Sequence, residues 1–98
     1  MTATPDRRVH AEGPGGRQIV RYERAGAWKY MNAAGGETRV SVAEAATWAA
    51  SPGWTVRFGV PGGSVFDREV RRAVELAVRM AEFVTAEFVR VSQERAES

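Results

Sequence analysis

Residues 64–98 read SVFDREVRRAVELAVRMAEFVTAEFVRVSQERAES, a run with no Gly or Pro that begins directly after Gly63. Good helix formers dominate it. Ser64, with Asp67 three residues on, has the form of a helix start: a hydroxyl as cap and a carboxylate facing the positive end of the dipole. One helix is predicted from Val65 to about Glu97, a rod of ~50 Å at 1.5 Å per residue. A compact chain of this length has a radius of gyration of only about 13 Å, so the rod is expected to outreach its own domain. Val70, Ala73, Ala77, Met80, Val84 and Val91 recur at helical spacing, with Glu87 breaking the series. Phe66, Val74, Val78, Ala81 and Phe88 widen the stripe beyond a narrow two-stranded seam. The first half of such a helix can cover a small sheet. The second half still carries Met80, Phe83, Val84, Phe88 and Val91, and each large side chain buried is worth roughly 1.5–3 kcal/mol. Symmetric pairing of two copies is the simplest shelter, which makes Met80, Val84, Phe88 and Val91 the candidate oligomer interface.

Upstream of this helix, residues 54–60 (WTVRFGV) alternate strictly between apolar and other residues, a strand signal, and Pro61-Gly62-Gly63 turns the chain. Glycines between a strand and a helix can expose amides to an anion, but the phosphate-loop Lys and the three-glycine dinucleotide pattern are both missing here. A structural turn is the preferred reading. Ser41-Val42-Ala43-Glu44 has the capping-box form and opens a short Ala-rich helix that Ser51-Pro52-Gly53 ends. Before it, RQIVRYER and AWKYMN alternate around Ala25-Gly26 as a β-hairpin, and residues 38–42 form a third strand after the turn at 32–36. Residues 1–16 hold too little apolar surface to offset the entropy of ordering and are expected to be a flexible arm.

The expected fold class is α+β: a small antiparallel sheet in the order β-β-β-α-β-α, with both helices on one face. The domain would span residues 17–80, and residues 81–98 would be the oligomerisation segment. Trp28, Tyr30, Val40, Trp48, Trp54, Val56, Phe58, Phe66, Val70 and Val74 are the expected core.

With 98 residues, 44% of them apolar and 27% charged, the chain has room for a single core. No apolar run approaches a membrane span and no secretory-type stretch opens the chain, so a soluble, cytoplasmic protein is expected. Zero Cys removes disulfide and thiolate chemistry. The single His, His10, falls in the expected arm. No acids converge on a second group, so no catalytic, metal or cofactor residues are assigned and no cofactor is expected. A non-enzymatic protein is the favoured reading, with a small enzyme of unrecognised site as an alternative.

The net charge is only +2 despite a pI near 9.7, because the bases are nearly all Arg. Residues 1–60 carry eight bases against five acids, and residues 61–98 six against seven. If Val20/Tyr22, Trp28/Tyr30, Val40/Val42 and Val56/Phe58 face inward, then Arg21, Lys29, Arg39 and Arg57 share the outer sheet face. Those four are the candidate nucleic-acid contacts, although solvent-side Arg is also what an Arg-biased composition produces. Residues 40–46 resemble the opening helix of the winged helix–turn–helix of phage-type excisionases, and Ser51-Pro52 with Thr55-Val56-Arg57 its turn and recognition helix. Gly59 and Pro61 would cut that second helix short, and the alternation over 54–60 reads as strand, so the family is not adopted. The resulting expectation is an oligomeric, non-enzymatic interaction or regulatory protein of bacterial or phage-like accessory type. It would be a homodimer that binds another protein, with nucleic-acid binding through the basic face as the alternative.

Overall fold

Trp28 and Tyr30 set the two faces of the sheet. The computed structural model describes residues 6–97, with side chains as far as Ala86 and that of Arg90. Its elements are β1 (Arg7–Glu12), β2 (Gln18–Tyr22), β3 (Ala27–Met31), β4 (Glu37–Val40), α1 (Val42–Ala49), β5 (Thr55–Val56) and α2 (Ser64–Glu97), with a 3-10 turn at Pro14–Gly16. The strands form one antiparallel sheet in the order β4-β3-β2-β1-β5. This is an α+β fold, as expected, with one strand more than the sequence reading assigned.

The additional strand is β1. The sequence predicts a flexible arm over residues 1–16; residues 7–12 instead pair with β2 on one side and β5 on the other, and His10 and Ala11 are fully buried. Residues 1–5 of that arm lie outside the described residues. Its backbone is paired on both sides, and its polar side chains find distant partners. Arg7 pairs with Glu37, Arg8 with Glu23, and Glu12 with Arg57. A bulge between Val9 and Ala11 leaves His10 as the extra residue, and its ring turns to the core side against Trp28 and Phe66.

Directly opposed residues share a face. Ile19 stands opposite Tyr30, Arg21 opposite Trp28, and Trp28 opposite Val40. Trp28, Tyr30 and Val40 pack on the core cluster of Ala11, Ile19, Ala45, Ala46, Ala49, Phe66 and Val70. Ile19 and Arg21 therefore face the helices, and Val20 and Tyr22 face the other way, reversing the parity expected for β2. A one-residue change of parity flips every side chain of a strand, and here Ile19 fits beneath α1 where Val20 was expected. On the open face Val20 is nevertheless fully buried. Arg7 spans that face, donating to Gln18 (2.8 Å) and Glu37 (2.9 Å), while the Tyr22 hydroxyl donates to Glu37 (2.6 Å).

The capping box at Ser41 and Glu44 forms as the spacing requires, with the Glu44 amide donating to Ser41 Oγ at 3.1 Å and the Ser41 amide to Glu44 Oε1 at 3.3 Å. It places Val42 at the start of α1 rather than in a strand. The buried side of α1 is Ala45, Ala46 and Ala49, small enough to bring the helix close to its neighbours.

The expected strand over 54–60 shrinks to Thr55–Val56. It is an edge strand paired with β1 alone, and Gly59, at φ +79°, bends the chain away. Phe58 is consequently half-exposed instead of core. The Asp67 amide donates to the Gly63 carbonyl at 2.8 Å, which makes Gly63 the N-cap of α2 in place of Ser64. The Asp67 carboxylate accepts from the Gly59 amide at 3.0 Å and ties this loop to the helix.

Candidate docking surface

Phe66 and Val70 bury the first two turns of α2, Ala73 is partly covered, and from Val74 to Ala86 every side chain is exposed. The helix formers continue regardless, so α2 runs on past its sheet. The radius of gyration is 18.2 Å and the longest dimension 75 Å, well above the compact value of about 13 Å for this length. The protruding segment is not polar. Leu76, Val78, Met80, Phe83 and Val84 are each between 51% and 66% exposed. Of the four residues expected at an oligomer interface, Met80 and Val84 are among these, and the side chains of Phe88 and Val91 lie outside the described residues.

Beside the root of α2, Trp54, Val56, Phe58, Val70, Arg71 and Val74 line most of an open groove of about 500 Å³. The Arg71 guanidinium lies 4.9 Å from the centre of the Phe58 ring, a cation–π contact that covers part of that otherwise unsheltered aromatic. Trp48, expected in the core, stacks on Tyr30 (centroids 4.6 Å apart) with its outer edge in solvent, and Trp54 completes the aromatic cluster. Val74 is likewise exposed rather than core.

A second constellation escaped the sequence reading. His10 is fully buried, and Asp67 nearly so. Among the described residues, both ring nitrogens of His10 and Oδ1 of Asp67 are the buried side-chain polar atoms with no hydrogen-bond partner. Burial pushes the imidazole below its ordinary 6.5; Asp67 opposes that shift, and Arg21 and Arg8 add to it. A neutral ring wedged edge-on against Trp28 (4.6 Å) and Phe66 (5.6 Å) behaves as a core side chain. The only sequence signal was the unpunctuated stretch 7–12 itself, and its strand partners lie far along the chain.

The four candidate nucleic-acid contacts are not brought together. Lys29 and Arg39 stand opposite each other on the open face. Arg21 belongs to the helix-side face and lies beside Gly62 in the loop before α2. Arg57 sits beyond the opposite edge from Arg39, paired to Glu12 at 2.6 Å, and four strand spacings separate those edges by about 19 Å. On the same open face, the Tyr22 hydrogen bond, aided by Arg7 and Lys29 and opposed by desolvation, holds the Glu37 carboxyl below its usual range. Glu37 stays ionised there and offsets the neighbouring bases.

Among the described residues no group of three or more His, Asp or Glu side chains gathers as a metal site, and no helix is long and apolar enough to cross a membrane. Compared with known proteins, the chain matches no family model, no curated protein and no solved structure.

Proposed function

We propose that this chain is a non-catalytic docking protein that self-associates through α2 and presents its sheet domain to another macromolecule. The observation that carries the reading is the exposed apolar surface of α2 beyond the domain, at Leu76, Val78, Met80, Phe83 and Val84. Isolated helices gain little from propensity alone and take most of their stability from packing an apolar face. A protruding helix with five large exposed apolar side chains therefore has its function in what it packs against. The aromatic groove beside the root of α2 gives the domain a second apolar surface.

Light scattering tests self-association. The parent protein is expected at twice its chain mass of 10.7 kDa. Val84→Asp is expected at the single-chain mass, because a carboxylate cannot be buried unpaired in an apolar seam. Circular dichroism confirms that the variant's sheet domain is intact. A parent that runs as a monomer overturns the reading.

A further inference from the structure

Residues 57–63 run as a strap from β5 to α2, across His10. Two backbone amides tie the strap down, and both reach the residues whose buried polar atoms are orphaned. The Arg57 amide donates to the His10 carbonyl at 2.8 Å, and the Gly59 amide to Asp67 Oδ2 at 3.0 Å. At the far end Gly63 lies against the imidazole, too close to leave room for a Cβ. Little else holds the segment. Within it only Gly63 is buried and only Val60 half-buried. The Arg57–Glu12 ion pair and the Arg71 contact with Phe58 lie at the surface, where such contacts add little. Gly59 and Gly62, at φ +79° and +81°, supply hinges. We infer that the strap is an acid-operated latch: when the buried imidazole gains a proton, residues 57–63 swing off His10 while the sheet and α2 stay folded.

The surroundings of the ring set the direction. Arg8 faces it from β1, Arg21 from β2 and Asp67 from α2. Trp28 of β3 brings no charge, and the strap's own charge, Arg57, is turned to Glu12. Neither ring nitrogen has a hydrogen-bond partner, so an imidazolium formed in place would be a buried charge without one. Burial is the largest influence against it, Arg21 and Arg8 act the same way, and Asp67 alone opposes them. Lifting the strap gives the ring water and returns it to its ordinary 6.5. The open form therefore takes the proton more readily. Its population rises by up to about tenfold per pH unit as pH falls from 6.5 toward the closed-state value.

The strap is also the wall that yields first. Trp28 and Phe66, which pack on the same ring, belong to an inner strand and to a fully buried turn of α2. Local openings begin where few buried contacts hold the chain. The movement reaches a binding surface, because Phe58 rides on the strap and lines the groove beside the root of α2. That apolar groove is complete above pH 6.5 and loses Phe58 in acid. The latch does not depend on self-association through α2.

Amide hydrogen exchange on the full chain, expressed as protection factors, tests the latch. In the parent, the Arg57 and Gly59 amides are expected to lose up to about tenfold in protection per pH unit below 6.5. They are also expected to exchange more readily than the amides between β2 and β3 throughout. His10→Leu is expected to hold Arg57 protection constant over the same range. His10→Gln, which is equally unable to titrate, gives a second comparison should leucine disturb the bulge. Arg57 protection equal to that between β2 and β3 means that the whole domain unfolds, which overturns the inference. A decline at Arg57 that persists in both variants, or that is missing from the parent, overturns it as well.

Discussion

At the scale of single residues, His10 and Gly63 explain each other. A Cβ on Gly63 would stand 2.7 Å from Cε1 and Nδ1 of the His10 ring, closer than packed carbons approach. Gly63→Ala is expected to lower stability by about 1–3 kcal/mol through overpacking, measured by urea unfolding. His10 also sets an acid limit. Its folded pKa lies below the unfolded value of 6.5, so as pH falls through that value the unfolded chain takes up a proton before the native one does. Stability is therefore full above pH 6.5 and declines as pH falls toward the native pKa. His10→Leu removes two orphaned nitrogens and the titration with them. Its unfolding free energy at neutral pH is expected to equal or exceed the parent's, by up to about 1 kcal/mol, with the decline just below pH 6.5 lost. A variant that keeps that decline would assign it to other groups.

Among the elements, α1 and β1 represent opposite cases. Local chemistry specifies α1. The Ser41 hydroxyl and the Glu44 carboxylate satisfy each other's amides within four residues, and Ser41→Ala is expected to cost about 0.5–2 kcal/mol, read from thermal or urea unfolding. Distant partners specify β1. The ion pairs from Arg7 to Glu37, Arg8 to Glu23 and Glu12 to Arg57 span 30, 15 and 45 residues. Glu37 supports β1 in a pH-dependent way. Its carboxyl is held below its usual range by the Tyr22 and Arg7 hydrogen bonds, so its contribution is complete above the ordinary carboxylate value and is lost as pH falls through its native one. Glu37→Gln is expected to weaken hydrogen-exchange protection in β1 and β4 at neutral pH and to approach the parent in acid.

For the whole molecule, the long axis of α2 separates one folded unit from the surface it offers. Small-angle scattering from the Val84→Asp variant is expected to give a radius of gyration near the 18.2 Å of the single chain. The parent should be markedly larger, because two chains joined along α2 scatter as one particle. Equal values for the two proteins would mean that Val84 is not part of a seam.

Much of this architecture is legible in the amino-acid order alone. The uninterrupted run after Gly63 determines α2, the Ser41–Glu44 spacing determines the start of α1, and alternation around Trp28 and Tyr30 determines β3 and its inward face, since caps, periodicity and the lack of Gly and Pro all act within a few residues. Only the tertiary structure decided that residues 7–12 are an inner strand, that Ile19 rather than Val20 faces the helices, that Phe58 and Trp48 stay partly in solvent, and that Arg21 and Arg57 lie apart from Lys29 and Arg39. Each of those depends on which strand lies alongside and where the sheet stops. The pairing energies come from groups tens of residues apart, and no local window contains them.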